Sequence, residues 1–245
     1  MTDDTLPTPP WRTPGRARNA RTARPPLDRE QIVDAAMRIV AEEGIDAVSM
    51  RRVAQVFDTG PSTLYAHIAN KDELLQLMID RVNADIVVPE PDPDRWQEQV
   101  KEVARSTYRA LTAHGDVARA ALANIPTGPG ALRTAEGLLA IMIAGGLPPR
   151  VAGWAMDRIF LYINADAYEG ALYGAKVRES GKSMDEYVAA FYGQLRDYFK
   201  ALPPARFPNL SAHADALVSG GGDARFEFGL DMLVDGLARY VGTRD

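Results

Sequence analysis

The sequence predicts an all-α fold, and three observations carry that prediction. Apolar residues recur at helical spacing in every long segment after residue 27. No segment alternates apolar and polar residues as a half-buried strand does. The breaks fall on helix punctuation: Asp28 and Ser49 at starts, Gly44 and Asn70 at ends, Pro61 in a first turn. With 245 residues, 46% of them hydrophobic, the chain can bury a substantial core. It has no cysteine, which excludes disulfides, thiolate metal sites and cysteine nucleophiles and fits a reducing cytoplasm. No run reaches the roughly 18 apolar residues of a membrane helix, and the N-terminus lacks the apolar stretch of a secretory signal, so no membrane partner is expected.

Each element follows in order. Residues 1–26 are rich in Pro, Arg and Thr and too poor in apolar side chains to offset ordering entropy, so a disordered arm is expected. Asp28 caps a first helix carrying Ile32, Ala36, Ile39 and Val40, which Gly44 ends as a left-handed cap. A second helix starts at Ser49 with Val53, Val56 and Phe57 inward. The turn "DTG" leads into a third helix from Pro61, with Leu64 and Ile68 inward and Asn70 stopping it. A fourth helix runs from Lys71 to about Val88, and "PEPDPD" (89–94) punctuates the chain after it. Further helices are expected near 94–113, 116–123, 130–145, 149–176, 183–201 and 223–242, with 202–223 as a long connection. The expected organisation is an arm over 1–26, a helix-turn-helix domain over 27–72 and a helical C-terminal domain over 73–245.

Two helices joined by a tight turn, with another behind them, make a helix-turn-helix unit whose second helix enters the DNA major groove. Burying Leu64 and Ile68 pushes Tyr65 and His67 towards the surface, and Lys71 follows at the next helix start. A phenol, an imidazole and an ammonium all donate hydrogen bonds, and phosphates only accept them, so the three suit the DNA backbone. Base reading then falls to Gly60, Pro61, Ser62 and Thr63. Ser49, Met50 and Arg51 add contacts from the groove edge, partly through helix-start N–H groups. Singly, each of these residues is more often packing or solvated surface; the spacing is what points to DNA.

The segment "LDREQIVDAAMRIVAEEGIDAVSMRRVAQVFDTGPSTLYAHIANKDELL", above all "TLYAHIANK" and "RRVAQ", resembles the DNA-binding domain of the tetracycline-repressor family. The resemblance implies phosphate contacts at Tyr65, His67 and Lys71 and base contacts at the third helix start. It also implies a homodimer that binds a near-palindromic double-stranded operator and is released by a small-molecule effector, through a four-helix bundle built here from 149–176 and 223–242. In the latter, Phe226, Leu230, Leu233, Leu237 and Val241 form one stripe. One departure stands out: the family usually carries Leu-Gly-Val in the turn, and this chain carries Phe57-Asp58-Thr59.

The body resembles tetracycline repressors more weakly. Ala121 stands where their metal-binding histidine would be, so magnesium–tetracycline is not the expected effector, no metal or other cofactor is expected, and His114 reads as a helix-end histidine. Tyr162, Asp166 and Glu169 share one stripe and suit a pocket wall that orients a small molecule, although a solvated stripe has the same pattern. Facing and the weak resemblance add Thr107, Tyr108, Leu138 and Met142. No catalytic constellation is present: the three histidines are scattered, and there is no phosphate loop. An all-helical enzyme and an effector-independent architectural DNA binder are the competing readings.

The net charge of −5 hides five arginines between Pro10 and Pro26, with no acid among them. Arg16, Arg18, Arg21 and Arg24 end close to the first helix and suit the narrow minor groove. Deleting residues 1–24 is expected to weaken duplex binding and flatten its salt dependence, measured by titrations across a salt series; unchanged affinity and slope would exclude the role.

Overall fold

The computed structural model describes residues 27–114, 116–123 and 127–243, so Arg16, Arg18, Arg21 and Arg24 lie outside the described residues. Among the described residues every regular element is helical. Helix α1, Arg29–Glu43, starts from a reciprocal capping box: Asp28 accepts from the Gln31 N–H at 2.8 Å, and the Gln31 side chain accepts from the Asp28 N–H at 3.2 Å. Ile32, Val33, Ala36, Ile39 and Val40 form its buried face. Gly44 has φ 85 and ψ 168, so it is not the left-handed helical cap expected; positive φ with extended ψ is glycine territory, and it turns the chain into a short 3₁₀ turn, Ile45–Ala47.

Helix α2, Met50–Val56, begins at Ser49, whose hydroxyl accepts from the Arg52 N–H at 3.1 Å. Its buried face is Met50, Val53 and Ala54, and Val56 is exposed, against the expected Val53–Val56–Phe57 stripe. In seven residues the i, i+3, i+4 line through Met50 faces the neighbours, and Val56 falls on the other side. The turn that follows holds Asp58 at φ 49, the single positive φ among described non-glycine residues. This is where the family's glycine would stand, and aspartate is among the few residues that reach this region at modest cost. Asp58→Val, β-branched, is expected to destabilise the protein by about 1–2 kcal/mol in urea melts, against little change for Asp58→Asn; equal melts for the two would remove the strain argument.

Helix α3 is a single turn, Pro61–Leu64, and residues 65–67 continue as turns rather than as the longer helix expected. Asn70 explains this. Its side chain accepts from the Glu73 N–H at 2.8 Å, so it starts helix α4, Lys71–Ala84, instead of ending α3. Helix α4 stops short of Val88: Arg133 donates to the carbonyls of Asn83 (3.3 Å) and Ala84 (3.0 Å) and satisfies its last turn.

Beyond it come α5 (Trp96–Ala113), α6 (Val117–Ala123), α7 (Pro129–Ala144), α8 (Pro149–Ser180) and α9 (Met184–Ala201). The expected 202–223 connection holds two short helices, α10 (Pro208–Ala212) and α11 (Ala214–Leu217), followed by α12 (Gly222–Leu237) and a 3₁₀ turn, Ala238–Tyr240. Pro208 in a first turn was the available sign of α10.

The chain forms two compact units, one comprising residues through Tyr168 together with those from Leu233 onward, the other Glu169–Met232. In the first, α4 packs on α6 and α7 and α5 packs on α7. Asp80 on α4 accepts from the Gly130 (2.7 Å) and Ala131 (3.2 Å) N–H groups at the start of α7. A side chain at Gly128 would collide with that carboxylate, so the approach needs glycine. In the second unit, α9 packs on α10 and α11, and the rings of Tyr173, Phe191 and Tyr192 meet edge to face. No residue of α9 is fully buried.

Candidate nucleic-acid interface

The surface over residues 49–71 is built by α2, α3 and the start of α4; α2 and α4 pack on α1, and α3 packs on α2. Leu64 and Ile68 are fully buried and anchor the single turn of α3 and the loop behind it. Burial of these two leaves Tyr65 49% exposed, Lys71 exposed and His67 half-buried. The three expected phosphate donors therefore sit on or near the surface, along a turn and the start of α4 rather than along one helix. Gly60, Ser62 and Thr63 are exposed and Pro61 is half-buried. The Thr63 and Thr59 hydroxyls are 2.7 Å apart, which fixes the Thr63 rotamer beside the turn.

At the neighbouring α2 start, Arg51 is exposed, Ser49 is half-buried and Met50 is buried. The Met50 side chain belongs to the core, so its available donor is the first-turn N–H, together with that of Arg51. The Ser49 hydroxyl already accepts from Arg52 and keeps its own proton to donate.

Several contacts set this head, and sequence reasoning missed them all because they join different elements, from nine to 73 positions apart, outside any helical period. Arg52 donates to both carboxylate oxygens of Glu43 at the end of α1 (3.1 and 3.2 Å). Arg29 spans to the far side of the recognition turn, donating to the His67 carbonyl at 3.2 Å and to Glu73 at 2.7 Å. Arg119 on α6 donates a bidentate pair to Asp46 at 2.7 and 2.8 Å, and the Ile45 N–H donates to Asp116 at 3.3 Å. The Arg119 hydrogen bond holds the Asp46 carboxyl below the usual aspartate range, against desolvation. This tie is complete above that range and is lost as pH falls through the lowered value.

The residues expected at an effector pocket are distributed unevenly. Leu138 and Met142 lie deep in the first unit's core. Thr107 is buried and donates to the Val103 carbonyl at 2.9 Å. Tyr108, Tyr162 and Asp166 are half-buried in the same unit, whereas Glu169 is exposed and belongs to the second. His114 caps the end of α5, and Ala121 is buried. Of the expected α12 stripe, Phe226 and Leu230 are buried, Leu233 and Leu237 are half-buried, and Val241 lies exposed beyond the helix. Val234 takes the next buried place, because Phe226, Leu230 and Val234 repeat every four residues along one helix face. Among the described residues, no helix is long and apolar enough to cross a membrane.

Comparison with known proteins agrees with this architecture. Residues 32–78 match the family profile "Bacterial regulatory proteins, tetR family", and residues 88–241 match "Tetracyclin repressor-like, C-terminal domain". The HTH-type transcriptional repressor DrrR1 of Streptomyces coeruleorubidus is 30% identical over 93% of this chain and 83% of its own length. The class G tetracycline repressor protein of Vibrio anguillarum is 29% identical over 87% of this chain and 94% of its own. Among solved structures, the TetR family protein ActR of Streptomyces coelicolor in complex with actinorhodin is 39% identical, with a TM-score of 0.80 over 90% of this chain and 99% of that one. A helix-turn-helix head with surface donors, joined to a helical body and matched over nearly its whole length to such proteins, makes this chain a member of the tetracycline-repressor family, a ligand-responsive DNA-binding transcriptional repressor.

Proposed function

We propose that two copies of this chain bind a near-palindromic duplex through residues 60–71 of each, and that a flat fused-ring effector in the C-terminal domain releases it. The observation that carries the DNA-binding surface is the burial contrast at the recognition turn. Leu64 and Ile68 are sealed in the core, and the donors Tyr65, between them, and Lys71, just after them, are exposed. Ser49, Arg51 and the α2 first-turn N–H groups lie on the adjacent edge and add backbone contacts. Gly60, Pro61, Ser62 and Thr63 read the bases, and the arm with Arg16, Arg18, Arg21 and Arg24 follows the minor groove.

A homodimer is supported by the face of α8. Trp154 is 63% exposed and borders a shallow apolar pocket of about 240 Å³ with Val151, Arg158, Leu233, Leu237 and Tyr240. An aromatic at the rim of an apolar depression is the kind of anchor that a second subunit covers.

The effector class is supported by the ligands of two similar proteins: ActR is solved with actinorhodin, and a TetR variant from Acinetobacter baumannii AYE with minocycline. Tyr108, Tyr162 and Asp166 supply orienting groups, Thr107 lines the wall, and Leu138 and Met142 supply the apolar floor. Position 121 holds alanine, which offers no ligand to a metal ion, so the proposed recognition is metal-free. Release is a population shift: the effector binds better to the dimer whose recognition turns no longer match successive major grooves. Helix α4 carries the shift, since it begins at Lys71 and is tied to α7 through Asp80.

Selection of bound duplexes from a random pool by the full-length chain tests the first part. A palindrome with half-sites about one helical turn apart is expected, and recovery without symmetry would refute paired binding. Titrating tetracyclines and fused-ring quinones, with and without magnesium, against the selected duplex tests the second. Release that needs the metal would exclude a metal-free site.

A further inference from the structure

We infer that Arg29 and Glu73 form a latch that positions the DNA-gripping turn without touching DNA; the inference rests on the reading that residues 60–71 grip the duplex. The need for such a latch follows from the length of α3. Four residues make one helical turn, which is marginal alone, and residues 65–68 extend it only through turn hydrogen bonds, from Tyr65 N–H to the Pro61 carbonyl at 3.2 Å and from His67 and Ile68 N–H to the Leu64 carbonyl at 2.9 Å, while the Ala69 N–H goes to the Glu73 side chain. Leu64 and Ile68 fix its depth in the core, yet two buried aliphatic side chains do not fix the rotation of the loop between them.

Polar contacts supply what burial does not. Arg29, at the start of α1, donates from Nε to the His67 carbonyl at 3.2 Å and from a terminal nitrogen to Glu73 Oε1 at 2.7 Å. The other oxygen of Glu73 accepts from the Ala69 N–H at 2.6 Å, and the Glu73 N–H donates to Asn70 Oδ1 at 2.8 Å. The guanidinium and the carboxylate thus hold the backbone on both sides of Ile68, at residues 67 and 69. The fork of the guanidinium is rigid, so binding two acceptors sets a direction as well as a distance. Glu73 is largely shielded, with its side chain 17% exposed, whereas the Arg29 side chain is 55% exposed, so the pair acts by the direction its paired backbone contacts impose rather than by the strength of a buried ion pair. His67 and Lys71 are the donors flanking the latched segment.

The test uses the full-length chain, a duplex that the wild type enriches from a random pool, and a scrambled duplex of the same length. Arg29→Met and Glu73→Gln are each expected to weaken the selected duplex about tenfold while leaving the scrambled duplex within twofold, so the specificity ratio falls. The double variant is expected to match the worse single, because both act through one latch. The slope of affinity against salt is expected to stay at the wild-type value in Arg29→Met, whereas a lost phosphate contact would lower it by about one per site. Loss of stability alone leaves both affinities unchanged well below the melting temperature, so it cannot mimic this pattern. Glu73→Gln keeps an acceptor for Ala69 and serves if Arg29→Met fails to fold. Unchanged selectivity in Glu73→Gln would overturn the latch, and a reduced salt slope in Arg29→Met would make Arg29 a phosphate ligand instead. Lys71→Met in the same assay separates the underlying reading: if it leaves affinity and slope intact, the gripping surface itself is misplaced, whatever the latch variants do.

Discussion

Replacing Lys71 with methionine is expected to lower affinity for the selected duplex by roughly thirtyfold and to reduce the salt slope by about two units per dimer. A solvated phosphate contact from an exposed side chain is worth about 1 kcal/mol net, less than a shielded charged pair, and two half-sites double it. Each phosphate neutralised contributes about 0.9 to the slope. The triple variant Tyr65→Phe/His67→Ala/Lys71→Met, which removes three such contacts from each half-site, is expected to lose affinity by a factor on the order of ten thousand, measured by anisotropy at several salt concentrations. Folding gives little reason to keep this lysine beyond a solvent-screened attraction to the exposed Asp46 carboxylate. It stands exposed at the first position of α4, where the helix dipole favours acids, and Asp72 and Glu73 already occupy the rest of that turn. Lys71→Met is therefore expected to leave the melting temperature unchanged or slightly raised. A variant that melts early and binds with the wild-type salt slope would show a structural lysine.

Leu64→Ala is expected to destabilise the protein by about 2–5 kcal/mol, the usual range for emptying a fully buried leucine site. Leu64 is completely inaccessible to solvent and is the one buried side chain of α3. Its loss leaves a cavity under the turn that carries Tyr65, so selective duplex binding is expected to fall even at temperatures where the variant stays folded. Tyr65→Ala, one residue on, is expected to change stability far less, because that side chain is half exposed. Denaturant melts of the pair, with duplex titrations alongside, give two separate rankings. Equal stability costs at the two positions would overturn the inward and outward assignment on which the interface rests.

The contrast between Leu64 and Tyr65 was legible in the sequence because it needs only helical periodicity. The caps at Asp28 and Ser49 were legible for a similar reason, since each depends on a neighbour three residues away. Where the reading slipped, a local signal had two meanings. Asn70 fits a helix end as well as a helix start, and the structure uses it as the start of α4. Gly44 fits a left-handed cap, yet the following 3₁₀ turn draws it to an extended ψ. Val56 fits an inward stripe, and the short α2 turns it outward. Tyr162, Asp166 and Glu169 do share helix α8, as periodicity groups them, and the boundary between the two compact units falls within that helix, just before Glu169.

Composition, periodicity and the run from Thr63 to Lys71 determined by themselves that this chain is helical, that it carries a helix-turn-helix head, and which donors that head presents. These properties depend on side chains within a few turns of one another, so order along the chain suffices to read them. The tertiary structure alone decided how the head is held. Arg29 meets Glu73 across 44 positions, Asp46 meets Arg119 across 73, and Asp80 meets Gly130 across 50. No periodicity in the chain encodes such pairings. They arise only when the buried faces of α1, α4, α6 and α7 have packed and brought charged side chains from distant segments to their shared edges.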